Sequence, residues 1–312
     1  MRIVFCGTPE FATPTLRRLL SEPDFTIEAV VTQPDRPRGR GRQVTNSAVK
    51  EVALDAGLYL YQPETAKSDS AYGFFQRLAP DAVVIIAYGQ IIPARLIALP
   101  PLGWINLHAS LLPKYRGAAP INWAIINGER RTGLTTMQID AGLDTGPILL
   151  QQEHEIGADE TAPELSRRLA EAGAPLMLET LRKLGRGELT ATPQEHAQAT
   201  LAPMLKKEDG RVNWLLTAQQ IYNRIRGLDP WPGAFTAFRG QLCRIWGRPA
   251  EIAGGKAEAP GSLLVSDSEL YIACGQGTRL RLEAAQLEGR KRISARDFAN
   301  GAHVEPGERF GS

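Results

Sequence analysis

The chain has 312 residues, more than one small core needs, and its 43% apolar and 22% charged composition is that of a soluble globular protein of about two domains. The longest apolar run, Ala82 to Ala87, is far short of the roughly 20 residues that cross a bilayer, and the start "MRIVFCG" lacks the long apolar core of a signal peptide, so no membrane partner and a cytoplasmic location are expected. The net charge is only +2, with a weak basic bias toward residues 205–312, and the scattered Cys6, Cys243 and Cys274 carry no spacing that would hold zinc, so no metal is expected.

In chain order, "MRIVFCG" reads as a buried strand, and Thr8-Pro9-Glu10 as a helix start. "FTIEAVVTQPD" is a second strand. "DRPRGRGR" follows, with Arg36, Arg38, Arg40 and Arg42 against only Asp35. Alternation of Arg with Pro and Gly predicts an irregular, exposed loop, able to fork its guanidinium groups onto phosphates. "NSAVKEVALDAGL" reads as a helix capped by Asn46 or Ser47. "LYLYQP" is a short strand, "AYGFFQRLAP" a helix, and "DAVVIIAYG" a continuous apolar run typical of a central parallel strand. "GWINLHAS" is the next strand, "AAPINWAIINGE" a helix, and "TGLTTMQID" another strand. Strand–helix alternation predicts an α/β fold: a Rossmann-like, doubly wound, mostly parallel sheet. A long helix over "LSRRLAEAGAPLMLETLRKL" is expected to break or kink at Gly173 and Pro175. The sheet domain is placed at 1–188, a polar linker at 189–207, and a domain of short alternating strands at 208–312, a small antiparallel barrel or sandwich. In Arg279-Leu280-Arg281-Leu282 the leucines should face in.

The stretch "WINLHASLLPKYRGAAPIN" combines a strand with Asn106 and His108 at positions i and i+2, hence on one face, about 7 Å apart at Cα. In open parallel sheets, ligands bind beyond the carboxyl ends of the strands. Two polar side chains there are explained by a substrate cleft, with Ser110, Leu111, Leu112 and Pro113 as one wall. "QIDAGLDTGPIL" follows the next strand and is expected at the same sheet edge, where Asp144, between Gly142 and Gly146, would orient the imidazole. Amide, imidazole and carboxylate together can stabilise a tetrahedral oxyanion and move a proton during acyl transfer. No Ser or Cys is placed to be activated as a nucleophile, which points to direct transfer. There is no G-x-G-x-x-G, P-loop or HExxH, so neither a dinucleotide nor a metal is indicated.

"NLHASLLPKYRGAAPINWAI" together with "GLDTGPIL" resembles the folate-dependent formyltransferase family. "IVFCGTPEFA", "QPDRPRGRGR", "AYGQIIP", "LKKEDGRVNW" and "IRGLDPWPGAF" are similar, in order and spacing, to the branch that formylates methionyl initiator tRNA. The resemblance implies Asn106, His108 and Asp144 as the catalytic trio and Ser110, Leu111, Leu112 and Pro113 as the folate loop. It further implies 10-formyltetrahydrofolate as co-substrate and methionyl initiator tRNA as partner. Arg36, Arg38, Arg40 and Arg42, and more weakly Lys206 and Lys207, would contact tRNA, and the C-terminal domain would be OB-like. Nothing requires an oligomer, and a monomer is expected. The rivals are an amino-sugar nucleotide formyltransferase, which would not need four arginines in an insert, a phosphoribosyl-amine formyltransferase, which would not need the C-terminal domain, and a non-catalytic RNA-binding protein, which would not bind folate.

Overall fold

Three runs of buried apolar residues nucleate the first sheet: Ile3–Cys6, Ala82–Ile86 and Trp104–Leu107 are nearly devoid of exposed surface apart from the polar Asn106. Strands buried on both faces belong in the middle of a parallel sheet. The computed structural model describes residues 1–38, 43–250, 258–266, 269–305 and 307–311. In chain order it begins β1 (Arg2–Gly7), α1 (Thr13–Leu20), β2 (Thr26–Val31), β3 (Pro37–Arg38), β4 (Gln43–Val44), α2 (Ala48–Asp55), β5 (Leu60–Tyr61) and α3 (Asp69–Leu78). It continues with β6 (Ala82–Ile86), α4 (Ala94–Ile97), β7 (Trp104–His108), α5 (Pro120–Ile126), β8 (Arg131–Gln138), β9 (Ile148–Glu155) and α6 (Ala162–Gly185). Two compact units emerge, one of residues 1–120, 131–155 and 164–203, the other of 121–130, 156–163 and 204–312.

In the first unit the sheet order is β5-β2-β1-β6-β7-β8-β9. Strands β5, β2, β1, β6 and β7 run parallel, as expected of a Rossmann-like sheet. The chain winds outward from β1 through β2 to β5, then returns to β6 and winds the other way. The order therefore reverses between β1 and β6, the arrangement that opens a crevice at the carboxyl ends. There the Thr8 hydroxyl donates to the Tyr88 carbonyl at 3.1 Å. Ser47 and Ser68 cap α2 and α3, accepting from the Lys50 and Ala71 amides at 3.1 Å each.

Three expectations change. β8 is antiparallel to β7, with Gln138 opposite Ile105 and Thr135 opposite His108, and β9 is antiparallel to β8. β9 is an edge strand of sequence ILLQQEHE, mostly exposed, so no periodic apolar signal marks it. The helix α6 runs unbroken for 24 residues across Gly173 and Pro175. Buried Leu165, Leu169, Met177 and Leu181, and a 2.8 Å contact between the Thr136 and Thr180 hydroxyls, outweigh the local cost of proline. Gly173 is there for closeness: a Cβ on it would lie 2.4 Å from Leu107 Cδ2. The Arg-rich segment is not wholly irregular either, since Pro37–Arg38 pairs antiparallel with Gln43–Val44. The proline opens its short strand, a position that needs no ladder donor.

The second unit adds α7 (Ala218–Gly227), β10 (Phe235–Phe238), β11 (Gln241–Ala250), β12 (Leu263–Ser266), β13 (Glu269–Ala273), β14 (Arg279–Leu287), β15 (Ile293–Ser294) and α8 (Ala295–Ala302). Its antiparallel sheet has the order β10-β11-β14-β13-β12, with β15 on β14. Leu280 and Leu282 point into a core with Ile245, Ile272, Phe298 and Phe310. The expected OB-like barrel is not closed: among the described residues no ladder joins β12 to β10, each only four residues long. Single hydrogen bonds to residues 308–311 stand in for that ladder. Leu263 N–H donates to the Glu308 carbonyl, Phe310 N–H to Gly261, and Gly311 N–H to Ala237, all at 2.8 Å.

Candidate active site

β7 carries Asn106 and His108 to its carboxyl end, 9% and 6% exposed. Their i, i+2 spacing puts both side chains on one face. The Asn106 side-chain amide makes no hydrogen bond to another described residue, so its donor and acceptor are open to a ligand. His108 is hydrogen-bonded at one ring nitrogen and faces a carboxylate with the other. Nε2 lies 2.9 Å from the Tyr115 carbonyl oxygen, and Nδ1 lies 3.7 Å from Asp144 Oδ2. A carbonyl only accepts, so Nε2 carries a hydrogen, and Nδ1 is the nitrogen whose proton can come and go. Asp144 Oδ2 also accepts from the Gly117 amide at 2.8 Å.

The structure thus brings Asp144 to His108, but not by the expected route. Because β8 is antiparallel, its carboxyl end lies beside Ile105, at the start of β7. The segment 139–147 must run back along the sheet to reach His108. Asp140 shapes that turn, accepting from the Gly142 amide at 3.0 Å and the Thr145 hydroxyl at 2.7 Å. Gly146 allows the close return, since a Cβ there would sit 1.9 Å from the Gln138 carbonyl oxygen. Asp144 itself adopts φ 51°, in the left-handed region.

Residues Ser110 to Pro113 follow β7 directly. The Ser110 hydroxyl donates to the Lys114 carbonyl at 2.6 Å. Buried Thr135 braces the loop: its hydroxyl donates to Ser110 O at 2.6 Å and accepts from Leu112 N–H at 3.1 Å. The Gln151 amide donates to Leu112 O at 2.9 Å and to the Thr135 hydroxyl at 3.0 Å. Leu111 packs toward β8, where a Cβ on Gly133 would meet Leu111 Cδ2 at 2.4 Å.

Sequence reasoning missed Thr135, Gln151, Arg116 and Gln194. Thr135 and Gln151 lie on the antiparallel strands whose direction or existence was misread. Arg116 follows the Ser110–Pro113 wall with no pattern that marks it, and Gln194 lies in the polar stretch read as a linker.

Of the basic residues, Arg36 is exposed and its Nη2 lies 4.0 Å from Glu64 Oε2. Arg38 has its backbone in β3, and Arg40 and Arg42 lie outside the described residues. At the base of that segment Lys50 pairs with Asp35, and the Gln62 amide donates to Asp35 Oδ1 at 3.1 Å and Gln33 O at 2.9 Å. The hydrogen bond from Lys50 holds the Asp35 carboxyl below its ordinary value. In the second unit Lys206 and Lys207 are exposed. Arg279 is spent on Glu258 at 3.1 Å, and Arg281 on Glu269 at 3.2 Å.

No thiol is poised as a nucleophile. All three cysteines are buried and free, and burial pushes Cys6 well up, Cys243 up to about 11 and Cys274 up to about 12. Among the described residues no group of three or more His, Cys, Asp or Glu could hold a metal ion, and no helix is long and apolar enough to cross a membrane.

Comparison with known proteins places this geometry. The family described as "Formyl transferase" matches residues 1–181, and "Formyl transferase, C-terminal domain" matches 204–303. The methionyl-tRNA formyltransferase of Solibacter usitatus is 53% identical over 311 residues, covering 100% of this chain and 99% of that protein. The protein of the same name from Koribacter versatilis is 50% identical over 312 residues, again covering 100% and 99%. Among solved structures, an N-formyltransferase from Helicobacter canadensis in complex with folinic acid and dTDP-3-aminofucose shares the fold, with TM-score 0.67 at 17% identity over 90% of this chain and 98% of that one. The residues at the carboxyl end of β7 thus lie inside a match that runs from one end of the sequence to the other, and the chain belongs to the formyltransferase family.

Proposed function

We propose that the protein transfers the formyl group of 10-formyltetrahydrofolate to the α-amine of methionyl initiator tRNA. The observation that carries the acceptor is the 53% identity, over the whole chain, to a protein named methionyl-tRNA formyltransferase. The geometry at the end of β7 supports the chemistry. The amine nitrogen uses its lone pair to form the new C–N bond, and the formyl oxygen takes the charge. The unpartnered Asn106 amide and the His108 imidazole are the groups that face that oxyanion. Asp144, 3.7 Å from Nδ1, orients the imidazole and accepts the proton that leaves the amine. Collapse breaks the bond between the formyl carbon and N10, and N10 takes up the proton that Asp144 accepted from the amine. The products are formylmethionyl-tRNA and tetrahydrofolate. No covalent enzyme intermediate is needed, in keeping with thiols that burial keeps protonated.

Ser110, Leu111, Leu112 and Pro113 form the folate wall, held rigid by Thr135 and Gln151. Arg36, Arg38, Arg40 and Arg42 bind phosphates of the tRNA, with Lys206 and Lys207 as further contacts. The enzyme acts in the cytoplasm as a monomer.

The test is formyl transfer from 10-formyltetrahydrofolate to methionyl initiator tRNA, with His108→Ala alongside. Transfer by the wild type and its collapse in the variant are expected. A folded wild type that leaves methionyl-tRNA untouched but formylates an amino-sugar nucleotide would replace this acceptor with the rival one.

A further inference from the structure

We infer that Gln194 is a positioning residue that fixes Asp144 through its main chain, and that Arg116 locks the Gln194 amide in the one orientation that does so. The inference rests on the reading of Asp144 as the proton-accepting carboxylate.

Gln194 lies well past the long helix, yet it is only 6% exposed. Its Nε2 donates to the carbonyls of Asp144 at 2.9 Å and Gly146 at 2.7 Å. Its Oε1 accepts from Arg116 Nε at 3.1 Å and Nη2 at 2.6 Å. Both donors and the acceptor of the amide are therefore used. A flipped amide would turn its N–H groups onto a guanidinium that has only donors and its oxygen onto two carbonyls that only accept. Arg116 is 7% exposed and meets no carboxylate among the described residues; its remaining contact is Nη2 at 3.2 Å from His196 Nδ1. A buried guanidinium spent on an amide oxygen is an expensive way to make one link, and the link it makes ends on the Asp144 carbonyl.

The same segment sets the other side of Asp144. Arg116 N–H donates to the Thr200 carbonyl at 2.8 Å, and Ala202 N–H donates to the Arg116 carbonyl at 2.7 Å. A Cβ on Gly117 would sit 2.7 Å from the Ala202 carbonyl oxygen. Gly117 supplies the N–H that the Asp144 carboxylate accepts. Tyr115, whose carbonyl holds His108, has φ 60° and is pinned by its amide to the Thr200 hydroxyl at 2.9 Å. Residues 194–202 thus hold two left-handed non-glycine residues, Tyr115, hydrogen-bonded to the imidazole, and Asp144, 3.7 Å from it. Such conformations persist only where the surroundings enforce them.

The experiment is a double-mutant cycle on the full chain, read as formyl transfer, together with hydrogen exchange of the segment 139–147. Gln194→Ala is expected to lower kcat by about 10- to 100-fold with little change in donor KM, the size of effect that misplacing a reacting group produces. In the Asp144→Asn background the same change should cost less than about threefold, because the residue it positions is already disabled. Gln194→Glu keeps the partner of Arg116 and the packing but has no donor for the two carbonyls. It should lose as much activity as Gln194→Ala while holding a melting temperature nearer the wild type, so it decides the matter should Gln194→Ala fail to fold. Exchange of 139–147 should accelerate in either variant while β1 stays protected. An equal loss of kcat in both backgrounds, or unaltered exchange in 139–147, would overturn the assignment. Absence of formyl transfer in the wild type would instead strike the functional reading, and the exchange result would still decide whether Gln194 holds the Asp144 segment.

Discussion

Replacing Thr135 by Val tests whether the wall after β7 is held by one hydroxyl. The two side chains have nearly the same shape, and Thr135 has no exposed surface, so packing should change little. The hydroxyl uses its single hydrogen on the Ser110 carbonyl and both lone pairs on the Leu112 amide and the Gln151 side chain. Valine leaves the Ser110 carbonyl and the Leu112 N–H without that partner. Each buried, unsatisfied group costs about 1–3 kcal/mol, so the variant should lose about 2–6 kcal/mol of stability. Gln151 keeps its bond to the Leu112 carbonyl and adds little. Urea unfolding of the wild type and Thr135→Val, with the m-values compared, measures the loss, and titration with the folate donor measures the wall. Donor affinity should fall, because the Ser110–Pro113 segment then samples other positions before binding. A loss below about 1 kcal/mol with unchanged donor affinity would show that water replaces the hydroxyl, and the bracing argument would fail.

Asp144→Asn should leave the fold intact and lower the rate by about 100-fold or more, as loss of an orienting carboxylate does; turnover near wild type would remove Asp144 from the mechanism. Gly173→Ala should drive Leu107, the neighbour of His108, out of place and cost about 1–3 kcal/mol by overpacking, measurable by thermal unfolding; an unchanged Tm would mean that the leucine tip swings aside freely. The Asp35 carboxyl is held low by Lys50, so its contribution to stability is present above the ordinary carboxylate range and is lost as pH falls through its folded value. Lys50→Met should therefore flatten the acid limb of the stability–pH curve, with wild type and variant converging at low pH; parallel curves would refute the brace. Changing Arg36, Arg38, Arg40 and Arg42 to Ala should weaken tRNA binding and reduce its salt dependence, each lost phosphate contact lowering the slope by about 0.9 on the duplex scale. An unchanged slope would take these arginines off the phosphates.

What could be read from the residues was whatever depends on period and side. The runs that became β1, β6 and β7 are apolar without interruption, so Asn106 and His108 stood out against them, and i, i+2 spacing fixed their common face. Direction was harder. Strand β8 has the same kind of sequence whether it runs parallel or antiparallel, and only its pairing with β7 decides. Asp144 was therefore placed at His108 for a wrong reason: the strand before it ends at the other side, and a glycine-bearing segment brings it back. Gly173 was read as a local breaker, but its lack of a side chain serves Leu107 on another element. Gln194 gave no signal because a buried amide that bonds main-chain carbonyls needs no periodicity, only a place in three dimensions.

The pairing of residues 308–311 with both outer strands of the second sheet has a consequence for how the molecule meets others. Short strands such as β10 and β12 would each present unpaired N–H and C=O groups along one side, and such rims recruit strands from neighbouring chains. Glu308, Phe310 and Gly311 occupy partners on both rims at once, with the Phe310 ring buried beneath them at 3% exposure. Residues 308–311 therefore act as a stopper. Deleting residues 308–311 would expose two templates for self-association and uncover the Trp214, Phe238 and Phe298 rings that pack on Phe310, so the first symptom of such a deletion would be insolubility rather than slow catalysis.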